Sequence, residues 1–376
     1  MNIKEAMAPG NKVVVSAFAE SPMDAIENHL SLQAMAPPDV TRLKPDEVVI
    51  AIKSAAVGWV DLLMTSGQYQ HMPHPPYTPG LEYSGVVLWA GAAVNPQHVA
   101  VGDRVLVDGL QVGPRSGGAY QAQGGFASYA VLPGTAVHRI PERLSFDQAC
   151  CLLTSYETAY HCLIARGRLT AGETVLINGA SGATGLAAVH IAKLLGATVI
   201  ATGRSDEKLA LVKAHGADHV VNCANADGTP GVRRFRDEVK ALTAGRGVDV
   251  VYDGVGGDVS LESIRCVAFG ARFLIVGWAS TPAVANGRGQ RGAPNANMLP
   301  TNLIMMKGLD VLGSPMVIGT LNNQALRTPR FNQIMEWATD GRITPYVSHT
   351  FELADYKAAM LAKWNGKVSG GCVLHP

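Results

Sequence analysis

Apolar positions along this chain follow two different rhythms. Through roughly the first 140 residues, short apolar runs alternate with glycine- and proline-rich turns, which predicts strands over 12–18, 47–54, 82–91, 103–107 and 125–131. The segment 55–67 reads as a turn entering a short helix, and 69–80 is a proline-laden loop. So many short strands predict a β-rich, barrel-like unit. From Ser145 the texture changes. A Ser-Phe-Asp-Gln start caps a helix, 152–165 continues as helix, and strands at 174–177, 197–201, 220–223, 248–252, 272–276 and 310–312 then alternate with helical stretches. That alternation predicts a doubly wound parallel sheet with helices on both faces. The polar, glycine-rich stretch 280–300 reads as a surface loop. The last segment returns to a helix over 330–340, a strand over 348–351, a helix from Ala354 and an apolar, strand-like tail.

The stretch 174–208 organises the rest. A β-branched run, Thr174-Val-Leu-Ile177, leads into Asn178-Gly-Ala-Ser-Gly-Ala-Thr-Gly185, then into a helical segment that stops at Gly196 and a second apolar run. Strand, glycine turn, helix and strand form a βαβ unit whose turn aims at a helix N-terminus. Backbone N–H groups and the helix dipole converge there, which suits a pyrophosphate. Ala180 takes the place of the first glycine of the G-x-G-x-x-G pattern, while Gly182 and Gly185 hold the other two. Ser181, Gly182, Ala183 and Thr184 span this turn into the helix.

The end of the second strand bears on which dinucleotide binds. An NAD-type unit places a carboxylate there, about 20 residues on, to bond the adenosine ribose. Here the position reads Thr202-Gly203-Arg204-Ser205, and the first carboxylate is Asp206. Arg204, Ser205 and Lys208 suit a 2′-phosphate, the arginine by its forked donors, so the expected cofactor is NADPH. Ser205 also reads as the cap of the next helix, and the two roles are compatible.

Composition narrows the picture. The 376 residues suffice for two ordinary domains, 47% of them are hydrophobic and 16% charged, and the formal net charge is +1. No polyanion partner such as nucleic acid is suggested. No apolar run reaches the ~20 residues of a membrane-spanning helix, and the N-terminal residues lack a signal-peptide core. A cytoplasmic setting is the expectation. Six scattered cysteines, with no C-x-x-C pair, read as small buried apolar residues.

These residues carry a wider pattern. Pro79-Gly-Leu-Glu-Tyr-Ser-Gly85, Val101-Gly-Asp-Arg-Val105, Gly125-Phe-Ala-Ser-Tyr129, Gly179 to Gly185, Gly216-Ala-Asp218, Asp249 to Gly256, Gly270 to Gly277 and Asn302 to Lys307 follow in order. In this the chain resembles the medium-chain dehydrogenase/reductase superfamily, and within it the zinc-independent quinone oxidoreductase and enoyl reductase branch. The resemblance implies a Rossmann-type doubly wound sheet, 155–315, inserted into a groES-like β-barrel domain made of 1–154 and 316–376. It also implies a homodimer, sets Ser181, Gly182, Ala183 and Thr184 against the pyrophosphate, places Gly203 and Asn222 beside the adenosine, and places Val255, Val276 and Gly277 beside the nicotinamide ribose.

Zinc enzymes of this superfamily carry Cys, His and Cys ligands at the places that Gly58, Leu81 and Thr154 hold here, and 108–124 contains no cysteine. His71 and His74 with Glu82 are the nearest other donors, and they read as loop residues. Without a Lewis acid, hydride removal from a simple alcohol loses its activator. An acceptor already polarised by conjugation, a quinone or an enone, needs only orientation and a donor for the developing oxyanion. The asparagine usual in quinone oxidoreductases at the place of Gly58 is absent, as is the tyrosine near the place of Leu63. Tyr69, in Ser66-Gly-Gln-Tyr69, resembles a tyrosine that mitochondrial-type enoyl reductases use near the substrate, which implies it as the proton or hydrogen-bond donor. The alternatives are a non-catalytic NADPH-binding protein and a metal-free alcohol or ketone dehydrogenase. A short-chain dehydrogenase falls away, because no tyrosine has a lysine four residues on.

Overall fold

In the computed structural model, which describes residues 7–69, 71–279 and 297–376, the apolar runs of the first half become strands. They are β1 (Gly10–Val15), β2 (Leu30–Met35), β3 (Glu47–Ala56), β4 (Glu82–Ala90), β5 (Arg104–Val107), β6 (Tyr129–Pro133) and β7 (Val137–Arg139). β3 is the centre. It pairs antiparallel with β4 (Ile50 opposite Val87) and with β6 (Val48 opposite Leu132), so its inward side chains meet apolar partners on both sides. Val48, Ile50 and Ile52 join Leu62, Tyr83, Val105, Phe126 and Leu132 in one buried core.

The second half alternates as its rhythm predicts. Strands β8 (Thr174–Ile177), β9 (Thr198–Gly203), β10 (His219–Asn222), β11 (Val248–Asp253), β12 (Val267–Ile275) and β13 (Asp310–Gly313) form one parallel sheet in the order β10-β9-β8-β11-β12-β13. The order reverses between β8 and β11, the switch point at which doubly wound sheets bind ligands. Leu176, Ile200, Val251 and Phe273 are fully buried between the sheet and its helices. Finally β14 (Val347–Glu352) and β15 (Gly371–His375) return to the first sheet, whose order is β14-β15-β3-β4-β5-β7 with β6 alongside β3. β15 pairs with β3 at Val373 opposite Ala56. The helix Tyr356–Trp364 closes on the helix Trp59–Thr65, Trp364 stacking flat on Trp59 at 5.4 Å.

Two compact units result. One takes the chain up to Thr154 and again Thr344–Pro376; the other takes the described residues from Ser155 to Ile343. Residues 316–343, assigned from sequence to the first unit, group with the second. The reason is a buried ion cluster: Arg327 and Arg330 of the helix Arg327–Thr339 both bond Glu157. Other departures are local. β2 falls in a stretch that reads as loop, because only its first residue is buried and no alternation marks it. The short helices Arg236–Leu242, Asp258–Ser263 and Met316–Asn322 are too brief for a periodic signal. The loop expected over 280–300 lies almost wholly outside the described residues. All six cysteines are free thiols, and all are buried.

Candidate functional site

The turn after β8 has the shape its sequence demands. Gly179 has φ +64°, a conformation that glycine adopts freely. Ala180, in the first-glycine position of the motif, needs no such freedom and is fully buried. A Cβ on Gly185 would lie 2.5 Å from the carbonyl oxygen of Gly179 and 2.7 Å from Cα of Ala180, so only glycine lets the helix start this close to the strand. The helix Ala183–Leu194 has Gly182 as its N-cap, with no side-chain cap bond. Its first N–H groups have no intrahelical acceptor. Ser181, Gly182, Ala183 and Thr184 are half-buried at this helix start, whereas Gly185 onward is buried. Open donors, a helix dipole and a glycine-built approach fit a pyrophosphate.

A buried polar network holds the strand ends that flank this turn. Asn178 Nδ2 donates to Asp253 Oδ1 at 3.2 Å and to Ser263 Oγ at 2.9 Å, while Thr202 Oγ1 donates to Asn178 Oδ1 at 2.9 Å. Asp253 Oδ1 also accepts the N–H groups of Val255 (3.1 Å) and Gly256 (3.2 Å), and its Oδ2 accepts the hydroxyl of Ser260. The Asp253 carbonyl takes the N–H groups of Val276 (2.9 Å) and Gly277 (3.2 Å). One residue thus fixes both loops that carry Val255, Val276 and Gly277. Sequence reading does not foresee this network; its only trace in the sequence is a polar residue closing each apolar strand.

At the ends of β9 and β10 the basic side chains gather. Arg204 is exposed, and its charge, with that of Arg233, reaches the Cys223 thiol. Ser205 accepts the Lys208 N–H at 3.4 Å, as the cap of the helix Asp206–Ala214. A Cβ on Gly203 would meet Leu209 at 3.1 Å. Asn222 bonds Asp206 (2.7 Å) and the N–H of Ala224 (2.9 Å), and its carbonyl accepts from Arg233 Nε. Arg233 escapes sequence reading, being one of several arginines in an irregular stretch.

The first unit contains a second concentration of charge. Asp61, in the first turn of the helix Trp59–Thr65, accepts the N–H groups of Gly58 (2.8 Å), Gly80 (3.1 Å) and Leu81 (3.1 Å). Burial nevertheless raises its pKa to about 6, against those bonds and the Arg115 charge. Glu82 rises to about 7 by burial, opposed mainly by its bond from the Thr154 N–H at 2.7 Å and by Arg115. Among the described residues, no three His, Cys, Asp or Glu side chains are grouped to hold a metal ion. Tyr69 is half-buried, packs against this unit's core, and meets His71 edge-on at 6.4 Å. Trp59, stacked on Trp364, is a packing residue. Among the described residues, no helix is long and apolar enough to cross a membrane.

Comparison with known proteins agrees with this architecture. Residues 44–142 match the alcohol dehydrogenase GroES-like domain, and 183–336 match the zinc-binding dehydrogenase family. Quinone oxidoreductase-like protein 2 of Mus musculus is 33% identical over 352 residues, covering 93% of this chain and 89% of that one. The chain belongs to the quinone oxidoreductase branch of the medium-chain dehydrogenase/reductase superfamily. Among solved members, the quinone oxidoreductase of Thermus thermophilus, whose complex with NADPH is also known, has a TM-score of 0.73 and 26% identity over 97% of this chain and 100% of that one. An NAD-dependent alcohol dehydrogenase has a TM-score of 0.77 and 26% identity over 97% and 99%. As a medium-chain dehydrogenase/reductase, this chain is an oxidoreductase with a NAD(P)-binding unit of Rossmann type and a GroES-like unit.

Proposed function

We propose that this chain is an NADPH-dependent, zinc-independent oxidoreductase that reduces a quinone or an α,β-unsaturated carbonyl compound. The observation that carries the reading is the open helix start behind the Gly179–Gly185 turn, together with Arg204 and Arg233 where a carboxylate would serve NAD. The nicotinamide, when bound, supplies the hydride. The residues of this chain do the rest. Ser181 to Thr184 hold the pyrophosphate, Gly203, Arg204, Ser205 and Lys208 the phosphorylated ribose, Asn222 flanks the adenine, and Val255, Val276 and Gly277 line the nicotinamide ribose. Tyr69 offers its phenol to the acceptor. Zinc independence rests on side-chain chemistry: glycine and leucine offer a metal no donor, and one threonine cannot hold it.

An acceptor panel of quinones, enones and simple ketones, followed by NADPH absorbance, tests this reading. Quinones or enones are expected to be reduced at the same rate with and without a chelator. Activity lost to the chelator and restored by Zn²⁺ would overturn it.

We further propose a cytoplasmic homodimer joined through β13. That strand ends the parallel sheet, and its Val311 is exposed, as are Met305, Met306 and Phe269 at 73%, 58% and 85%. The expected solution mass is that of two chains, and Val311→Lys with Met305→Glu should give one. A wild-type monomer at micromolar concentration would refute the assignment.

A further inference from the structure

Three ring side chains of the nucleotide-binding unit form one hydrogen-bonded line, and none of them is assigned to the cofactor or the acceptor. Tyr156, on the helix Leu153–Tyr160, is 2% exposed, and its Oη lies 2.7 Å from His190 Nδ1. His190 Nε2 lies 3.2 Å from His215 Nδ1, the two imidazoles being 5.4 Å apart and tilted by 34°. His190 stands on the helix Ala183–Leu194, whose start is the proposed pyrophosphate site. His215 closes the helix Asp206–Ala214, whose start carries Ser205 and Lys208. The line therefore ties together the two helices that present these residues. Both imidazoles are half-buried, so solvent protons reach them.

The line needs uncharged rings. A neutral imidazole has one N–H and one bare nitrogen, so each bond finds one donor and one acceptor in either direction along it. One added proton can be shared by reversing the line. A second sets N–H against N–H across the two rings, between like charges. Burial opposes even the first, lowering the pKa of both, that of His190 to about 4 with the charge of His215 as the second cause. The surrounding elements do not offset this. β8 and β9 carry no ionisable side chain. Glu157 is held by Arg327 and Arg330, Asp218 by Lys193 at 2.8 Å, and Asp206 by Asn222 at 2.7 Å. Arg166 donates to the Gly313 carbonyl at 2.9 Å, and Tyr160 packs on Trp337. His161 and Cys162 are buried beside Arg330 and Arg166. Glu207 and Lys208 lie at the far end of their helix from His215, and Lys213 is exposed in its last turn.

We propose that Tyr156, His190 and His215 form an acid-sensitive tie: neutral, they hold the two helices together, and when the pair is protonated the tie parts and dinucleotide affinity falls. This rests on the functional reading above for where the dinucleotide lies. The sign follows from linkage. Both imidazoles titrate lower when tied than when solvated, so the stabilisation is complete above about pH 6.5 and is lost as pH falls toward the His190 value near 4.

The test compares wild type with His190→Gln/His215→Gln, whose carboxamides keep a donor and an acceptor at each place but take up no proton. For one ring titrating at about 4 when tied and at 6.5 when free, the wild-type unfolding constant in urea should rise about 30-fold from pH 7.5 to pH 5.0, over and above the change in the double variant. The NADP+ Kd, read by protein fluorescence, should rise about 5-fold more in wild type than in the variant over the same interval. Imidazole nitrogen NMR signals give a readout free of the dinucleotide: His190 and His215 should stay neutral to below about pH 6 and titrate as a coupled pair. Should the double variant fail to fold, His215→Gln decides: His190 should then titrate at higher pH than in wild type, and an unchanged titration overturns the tie. Equal pH dependence of wild type and double variant also overturns it. A difference in stability with no difference in Kd leaves a purely structural pair and refutes the switch. A wild type that binds no dinucleotide at pH 7.5 refutes the functional reading and the affinity effect with it, while the unfolding and NMR arms still judge the tie.

Discussion

Glu157→Leu is expected to destabilise the nucleotide-binding unit by about 3–5 kcal/mol, the cost of removing one partner from a buried ion cluster. Glu157 is 1% exposed, accepts from Arg327 Nη2 at 2.9 Å and from Arg330 Nε at 2.8 Å, and is the anion for both arginines. Among the described residues Arg330, 2% exposed, has the Thr320 hydroxyl at 2.8 Å as its one further hydrogen-bond partner. Leucine in place of Glu157 would leave that guanidinium charged, buried and uncompensated. Neutralising both ends is a different matter. Glu157→Leu with Arg330→Met should recover much of the loss, because apolar replacement of a whole buried pair is often close to neutral. Urea unfolding followed by far-ultraviolet circular dichroism reads both variants. A single-variant loss under about 1 kcal/mol would mean that water or relaxation reaches the cluster, and would discredit its part in holding 316–343 to this unit.

Arg204→Asp should weaken NADPH binding roughly 100-fold, about 2–3 kcal/mol, and leave NADH nearly untouched or slightly improved. The argument is one of charge at a strand end. Arg204 stands at the first position after β9, where a dinucleotide lays its adenosine ribose. Aspartate there removes a forked donor and sets a like charge against a 2′-phosphate, while offering an acceptor to an unphosphorylated ribose. Arg233→Ala should produce the same discrimination at a smaller scale, since Arg233 is already engaged with the Asn222 carbonyl and with Glu238 at 2.6 Å. Fluorescence titration of both dinucleotides against each variant measures it. Equal weakening of NADPH and NADH would remove Arg204 from the phosphate site and favour the cofactor of the NAD-dependent neighbour.

What could be read from the chain, and what could not, divides along a physical line. The βαβ unit around Gly179 was legible because its signals are local: four apolar residues for a strand, a left-handed glycine and a helix stop at Gly196 all act within a few positions. The alternation to β13 was legible for the same reason. Long-range pairings left no such mark. Arg330 and Glu157 meet across 173 residues, so the boundary at 316 looked as natural as the observed one at 343. β2 escaped because a strand with one buried residue has no apolar face. The cofactor positions were named from motifs, whereas Asp253 and Arg233 act through partners that only folding brings near them.

The first unit is built from two stretches of chain, one before and one after the parallel sheet, and this sets a timetable. β3 leaves the ribosome before the parallel sheet, whereas its neighbour β15 and the helix that carries Trp364 leave after it. The parallel sheet, complete by Gly313, can settle first; the β-rich unit must wait with part of its core uncovered until the closing strand is released. Among engineered forms, a rearranged chain whose new start precedes β14, with the old termini linked, would let both halves of that core emerge together.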